Sequence, residues 1–187
     1  MKMIVFSLIA MLSVFPLLVF GQSANPSGKT LVVYFSRSGN TQAVAGHIRS
    51  LTGGDEFRIE PVKPYPEDYR QCTDAAKEEL EKQARPAIKG KIENIGQYDT
   101  VFIGYPIWWG TYPMPVATFL DSYDLKGKTV IPFCTHEGSR EGRSFSDIRK
   151  AAPQAKAAEG LAVRGGQASS SQKEVQVWLR KIGVIEE

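Results

Sequence analysis

Residues 30–41 read Thr30-Leu31-Val32-Val33-Tyr34-Phe35-Ser36-Arg37-Ser38-Gly39-Asn40-Thr41. The first six form a continuous apolar, β-branched run bounded by Gly28 and Ser36, which suits a strand buried on both faces. The last six are small and polar, and helical spacing follows at once. Val44, Ile48 and Leu51 fall on one stripe, and Gly53-Gly54 stops it. Working outward, strand signals recur at 56–61, 100–104, 128–134 and 161–163. Helix signals alternate with them at 69–84 (halted by Pro86), 115–122 (Pro115 in its first turn), 144–152 and 171–182. The last has Val175, Trp178, Leu179 and Ile182 on its inner face. Strands alternating with helices imply parallel pairing through right-handed crossovers. The expected fold is α/β, a three-layer sandwich around a five-stranded parallel sheet.

The chain has 187 residues, 42% hydrophobic and 23% charged. That size suits one domain, and the composition excludes disorder, collagen-like repeats and a multi-span membrane protein. Cys72 and Cys134 are too few for a disulfide framework. Two histidines, His47 and His136, without a CxxC argue against a zinc site. A net charge of +3 with no dense Lys/Arg run gives nucleic-acid binding no support. At the N-terminus Met1-Lys2 precedes 18 uncharged residues, Met3 to Phe20, and then Gly21-Gln22-Ser23-Ala24. Residues 1–21 therefore read as a secretory signal peptide. Because 18 apolar residues lie at the lower edge of a bilayer span, an uncleaved anchor over residues 3–20 is the alternative. Residues 22–28 look like a flexible lead-in to a domain over 29–187. The expected location is outside the cytoplasm, in the periplasm, with membrane attachment only if the first segment is retained.

In open parallel sheets ligands sit beyond the carboxyl ends of the strands, near the point where strand order reverses. That rule singles out three loops. In Ser36-Arg37-Ser38-Gly39-Asn40-Thr41, Gly39 permits a tight turn whose N–H groups converge, and the next helix adds its positive end. An ordinary N-cap would explain one serine, but six small polar residues in a row favour a phosphate. GxxxxGK[ST] and GxGxxG are both absent, so a monophosphate fits better than a triphosphate or a dinucleotide. In Tyr105-Pro106-Ile107-Trp108-Trp109-Gly110-Thr111-Tyr112-Pro113, two tryptophans and two tyrosines crowd one loop. Such a concentration asks for something flat to cover, although one tryptophan could simply close the end of the core. The third loop, Thr135-His136-Glu137-Gly138-Ser139-Arg140-Glu141-Gly142, is glycine-rich and polar and could meet the edge of the same ligand. His136, alone, reads as a surface or hydrogen-bonded residue.

These motifs resemble those of the flavodoxin family. Residues Leu31 to Thr41 are similar to its phosphate loop. Gly104 to Gly110 and Phe133 to Ser139 are similar to its two isoalloxazine-facing loops, and the likeness runs from about Lys29 to the C-terminus. The resemblance implies the flavodoxin-like fold, strand order 2-1-3-4-5 and a non-covalent FMN. It gives the phosphate to Ser36, Arg37, Ser38, Gly39, Asn40 and Thr41. The ring and ribityl chain go to Pro106, Ile107, Trp108, Trp109 and Gly110, and to Thr135, His136, Glu137, Gly138 and Ser139. It also implies a peptide that turns over on reduction so that its carbonyl meets the ring N5; Gly110, the only glycine of the second loop, puts this at Gly110-Thr111. Two features depart from the family pattern. Carrier flavodoxins are typically acidic and cytoplasmic, whereas this chain has a pI of 8.8 and carries an export signal.

With flavin supplying the redox chemistry, no catalytic side chain is expected. The sequence shows no paired carboxylates, Ser-His-Asp set or activated cysteine. Cys72 lacks a clear basic neighbour and Cys134 ends an apolar strand, so both read as inert thiols, and a disulfide between them stays open. The expected function is electron transfer through bound FMN, docking on redox partner proteins through the flavin rim. The alternative is an FMN-dependent NAD(P)H oxidoreductase acting on a quinone or similar small acceptor. The missing nicotinamide fingerprint leans toward the carrier, and the basic charge toward the reductase.

Overall fold

The strand that opens the domain, β1 (Thr30–Tyr34), is buried at every residue and lies between two parallel partners, β2 (Asp55–Arg58) and β3 (Thr100–Pro106). The computed structural model describes residues 28–186. The signal or anchor segment (1–21) and all but the last residue of the lead-in lie outside the described residues. On the far side of β3 run β4 (Thr129–His136), β5 (Lys156–Ala157) and β6 (Leu161–Arg164). The path is β2-β1-β3-β4-β5, with β6 also on β4, and every named strand pair is parallel. This is the 2-1-3-4-5 order of the flavodoxin-like fold.

The fifth position holds two short strands rather than the one expected. Val130 accepts from the Ala158 amide, while the Thr135 carbonyl turns the other way to accept from Ile107. Strand alternation therefore aims the backbone nitrogen of Pro132 at the fifth position, and proline has no N–H to give. The ladder breaks there, between Ala157 and Leu161. Gly160 fills the break because a Cβ would sit 2.7 Å from the Pro132 carbonyl oxygen. The Glu159 carbonyl, freed from the ladder, accepts instead from the Trp178 indole at 3.0 Å.

Five helices cover the sheet. α1 (Asn40–Thr52) and α5 (Gln172–Lys181) lie on one face, and α3 (Met114–Ser122) and α4 (Ser144–Ala151) on the other; α2 (Tyr69–Glu81) packs beside α3. The period-2 alternation of β1 divides two core clusters. Leu31 and Val33 join Val116, Phe119 and Ile148, while Val32 and Tyr34 join Val44, Ile48, Val175 and Leu179. The strand expected over 56–61 stops at Arg58; Pro61 makes only an isolated antiparallel bridge to Ile88. Cys72 and Cys134 are both buried and free.

Candidate functional site

The carboxyl ends of β1, β3 and β4 deliver the three loops to one edge of the sheet. Gly39 has φ +92° and caps α1 in the left-handed conformation that the tight turn required. The Ser36 hydroxyl oxygen accepts from the amides of Gly39 (3.2 Å) and Gln42 (3.3 Å). The N-cap reading therefore holds for this serine, which keeps its own O–H to donate. Among the described residues no acceptor meets the amides of Arg37, Ser38, Asn40 and Thr41. These four donors, at the positive end of a 13-residue helix, can hold a small oxyanion. Arg37 is exposed, and its guanidinium donates to the carbonyls of Pro66 (3.1 Å) and Glu67 (2.7 Å).

Thr41 is fully buried, and its hydroxyl shares a hydrogen bond of 2.8 Å with that of Thr135. That contact ties the first loop to the third. In the third loop the His136 Nδ1 accepts from the Gly138 amide at 3.0 Å, so a neutral ring carries its proton on Nε2. Glu137, Gly138 and Ser139 are exposed. Gly165, just after β6, lies against both outer loops; a Cβ there would collide with the carboxylate of Glu137 and the amide of Asn40. Sequence reading missed this fourth contributor, and its only signal was the Gly165-Gly166 pair after a strand.

The second loop closes on itself. Trp108 and Thr111 exchange both backbone hydrogen bonds, at 2.9 and 3.0 Å, around Trp109 (φ +51°) and Gly110 (φ +78°). Two positive φ values make a type I′ turn, which favours Asn-Gly; a tryptophan in that region is strained by about 1–2 kcal/mol. Trp108 packs edge-on against Phe35 and Tyr65, with centroids 5.4 and 4.9 Å apart, and so closes the end of the core. Trp109 diverges from it and remains 49% exposed. Its indole N–H donates to the Thr73 carbonyl at 3.0 Å, and Lys77 lies 5.5 Å over the ring.

The peptide expected to turn over on reduction has partners on both sides in this structure. The Gly110 carbonyl accepts from the Arg143 amide at 2.9 Å, and the Thr111 amide is bonded to Trp108. Gly142 packs directly on that carbonyl, since a Cβ there would lie 2.5 Å from its oxygen. The Gly110-Thr111 peptide is therefore tied at both ends. The central peptide of the turn, Trp109-Gly110, has neither group engaged with a partner among the described residues. Behind this turn, Asp147 accepts from the Thr111 hydroxyl (2.8 Å) and from Arg143 (2.9 Å), fixing the second loop to α4.

Both thiols are buried and free. Burial pushes the Cys72 thiol up, against the lowering field of Arg37, the basic neighbour that sequence reading did not find. Burial pushes Cys134 up to about 12. Between α2 and the second loop lies a cavity of about 430 Å³, and Arg37 stands at its edge. The α2 side of this cavity had no sequence signal, because its register against the loop depends on long-range packing.

A doubly wound parallel sheet with a turn of unengaged amides and two further loops at its carboxyl edge defines the open α/β class that takes ligands at the switch point. The chain belongs to the flavodoxin family, whose model matches residues 29–182. A candidate flavoprotein from Bacteroides eggerthii is 40% identical; the match covers 84% of this chain and 99% of that one, with a TM-score of 0.75. A second, from Bacteroides uniformis, is 32% identical over 82% and 99% of the two chains, with a TM-score of 0.74. A flavoprotein from Lactobacillus acidophilus, solved in complex with FMN, is 22% identical over 80% and 99%, with a TM-score of 0.67, and shows the shared fold. No curated protein matches the chain.

Proposed function

We propose that the protein binds FMN non-covalently and passes electrons through it. The observation that carries this reading is the set of four unengaged amides at Arg37, Ser38, Asn40 and Thr41, a cradle that suits one phosphate. The FMN complex of a protein with the same fold supports it. When bound, the flavin supplies one- and two-electron chemistry that no side chain here can. The protein's own residues bind and orient: the first loop holds the phosphate, and the second and third hold the ring and ribityl chain. The holoprotein should be yellow, and acid precipitation should release FMN; release of FAD, or of no flavin, would refute the reading. Its electrons go to a redox partner protein or to a small acceptor. The uncharged segment Met3 to Phe20 supports export, with the domain working in the periplasm.

A second reading, an FMN-dependent NAD(P)H oxidoreductase acting on a quinone-like acceptor, is favoured by the chain's basic balance, a net charge of +3. Anaerobic mixing with NADH or NADPH separates the two: bleaching of the flavin within a turnover time supports the reductase, and its absence the carrier.

A further inference from the structure

We infer that the cleft formed by the end of α2, α3 and α4 is a binding site for a small organic phosphate ester, separate from the site proposed for FMN. Its volume, about 420 Å³, is within the range of small-molecule sites and more than a bare oxyanion fills. None of the residues assigned to FMN lines it. The lining combines three cations, Arg85, Arg143 and Lys150, with an apolar part made by Leu80, Met114 and Ala117. Tyr112 lines it as well.

Unused donors decide the ligand's polar group. Arg143 donates from Nε to Asp147 at 2.9 Å, and among the described residues its two terminal nitrogens meet no acceptor. Arg85 gives Nε to Asp121 and Nη1 to the carbonyls of Gln83 (2.9 Å) and Ala84 (3.2 Å), and its Nη2 has no acceptor among the described residues. Lys150 lies 3.7 Å from Asp147, too far for a hydrogen bond. The Tyr112 hydroxyl has no partner among the described residues either, and burial pushes the phenol up, so it stays a donor. These five donor groups exceed the roughly four lone-pair sites of a carboxylate and suit the three oxygens of a phosphate monoester. Asp121 and Asp147 neutralise two of the three cations, so one positive charge is left over for the anion. The apolar residues give the carbon part of the ester a place to lie. Arg143 and Asp147 also hold the second loop, through the Gly110 carbonyl and the Thr111 hydroxyl, so a ligand here bears on the turn proposed to face the flavin.

The test titrates phenyl phosphate into the FMN-loaded protein by calorimetry, in about 0.1 M NaCl to screen long-range attraction. Inorganic phosphate and phenol are the comparisons. The ester should bind at least about threefold more tightly than phosphate and at least about tenfold more tightly than phenol. Tyr112→Phe removes only the unpartnered hydroxyl, and Lys150→Gln only an exposed charge. Each should weaken the ester by about threefold or more while the FMN dissociation constant stays within about twofold. Lys126→Gln removes the same charge at the amino end of β4, away from the cleft, and should leave the ester's binding unchanged. No binding by the parent, parent-like binding by Tyr112→Phe or Lys150→Gln, or equal weakening by Lys126→Gln and Lys150→Gln overturns the proposal. So does a parent that binds phosphate as tightly as the ester, since the cleft would then hold an ion only. Loss of FMN from Tyr112→Phe or Lys150→Gln also overturns it, because the cleft would then belong to the cofactor site. A protein without flavin would defeat the proposed function alone, because the same variants report on the cleft and neither touches the first loop.

Discussion

Replacing Thr41 by valine removes one hydroxyl from a fully buried pair and leaves the Thr135 hydroxyl without its 2.8 Å partner. Losing the bond and stranding the second hydroxyl together cost about 1–3 kcal/mol. For a domain of this size, about 2 kcal/mol corresponds to a fall in Tm of roughly 4–8 °C. Thr135→Val should cost the same for the same reason. The double variant leaves no unsatisfied hydroxyl and conserves shape, so it should return to within about 1 kcal/mol of the parent. Flavin binding should separate the two positions. Thr135 can donate to Thr41, which leaves the Thr41 O–H free for the phosphate. Thr41→Val should therefore weaken FMN by about 1.5–3 kcal/mol, roughly 10- to 150-fold, and Thr135→Val by much less. Thermal unfolding of the flavin-free protein and FMN titration by fluorescence quenching give both quantities. Additive stability losses, or equal FMN affinities for the two single variants, would refute the reasoning.

Glycine substitutions in the second and third loops should differ sharply. Gly110→Ala meets open space and bears only its positive φ, about 1 kcal/mol, whereas Gly142→Ala also drives a Cβ to 2.5 Å from the Gly110 oxygen; urea midpoints that coincide would deny that the carbonyl is seated there. Tyr34 is pushed up to about 12, first by burial and then by its bond to Glu56. A phenol with a raised folded-state pKa stabilises the fold fully below pH 10 and loses that contribution as pH rises from 10 to about 12; a Tyr34→Phe difference titration showing ionisation at 10 in the native state would remove this. Expressed with its export machinery, the protein should begin near Gln22 by mass spectrometry, and an intact Met1 in membranes would establish the anchor instead.

The fold was legible because burial on both faces writes continuous apolar runs, and β1, β3 and β4 each have one. The tight turn before α1 was legible because Gly39 stands between a buried apolar run and helical spacing. What escaped notice lacks a local signature. Lys156-Ala157 is exposed and only two residues long, so it shows no period, and only the Val130 neighbourhood makes it a strand. Tryptophan is a poor candidate for positive φ, which hid the turn at Trp109-Gly110. Tying of the Gly110 carbonyl depends on Gly142 and Arg143, more than thirty residues away. For the same reason the α2 wall of the cavity and the seat of Gly165 appeared only in three dimensions.

The interruption opposite Pro132 has a consequence for how molecules of this protein meet one another. A long straight outer strand is a template on which a second chain can add hydrogen bonds and begin to polymerise. Here that margin consists of a two-residue rung and a four-residue rung, offset by residues 158–160 and flanked by Lys156 and Arg164. The opposite margin, β2, is four residues long and bears Asp55, Glu56 and Arg58. Neither offers an uncharged run long enough to zip against a neighbour. The proline that costs the sheet one rung therefore also protects it from edge-on self-association.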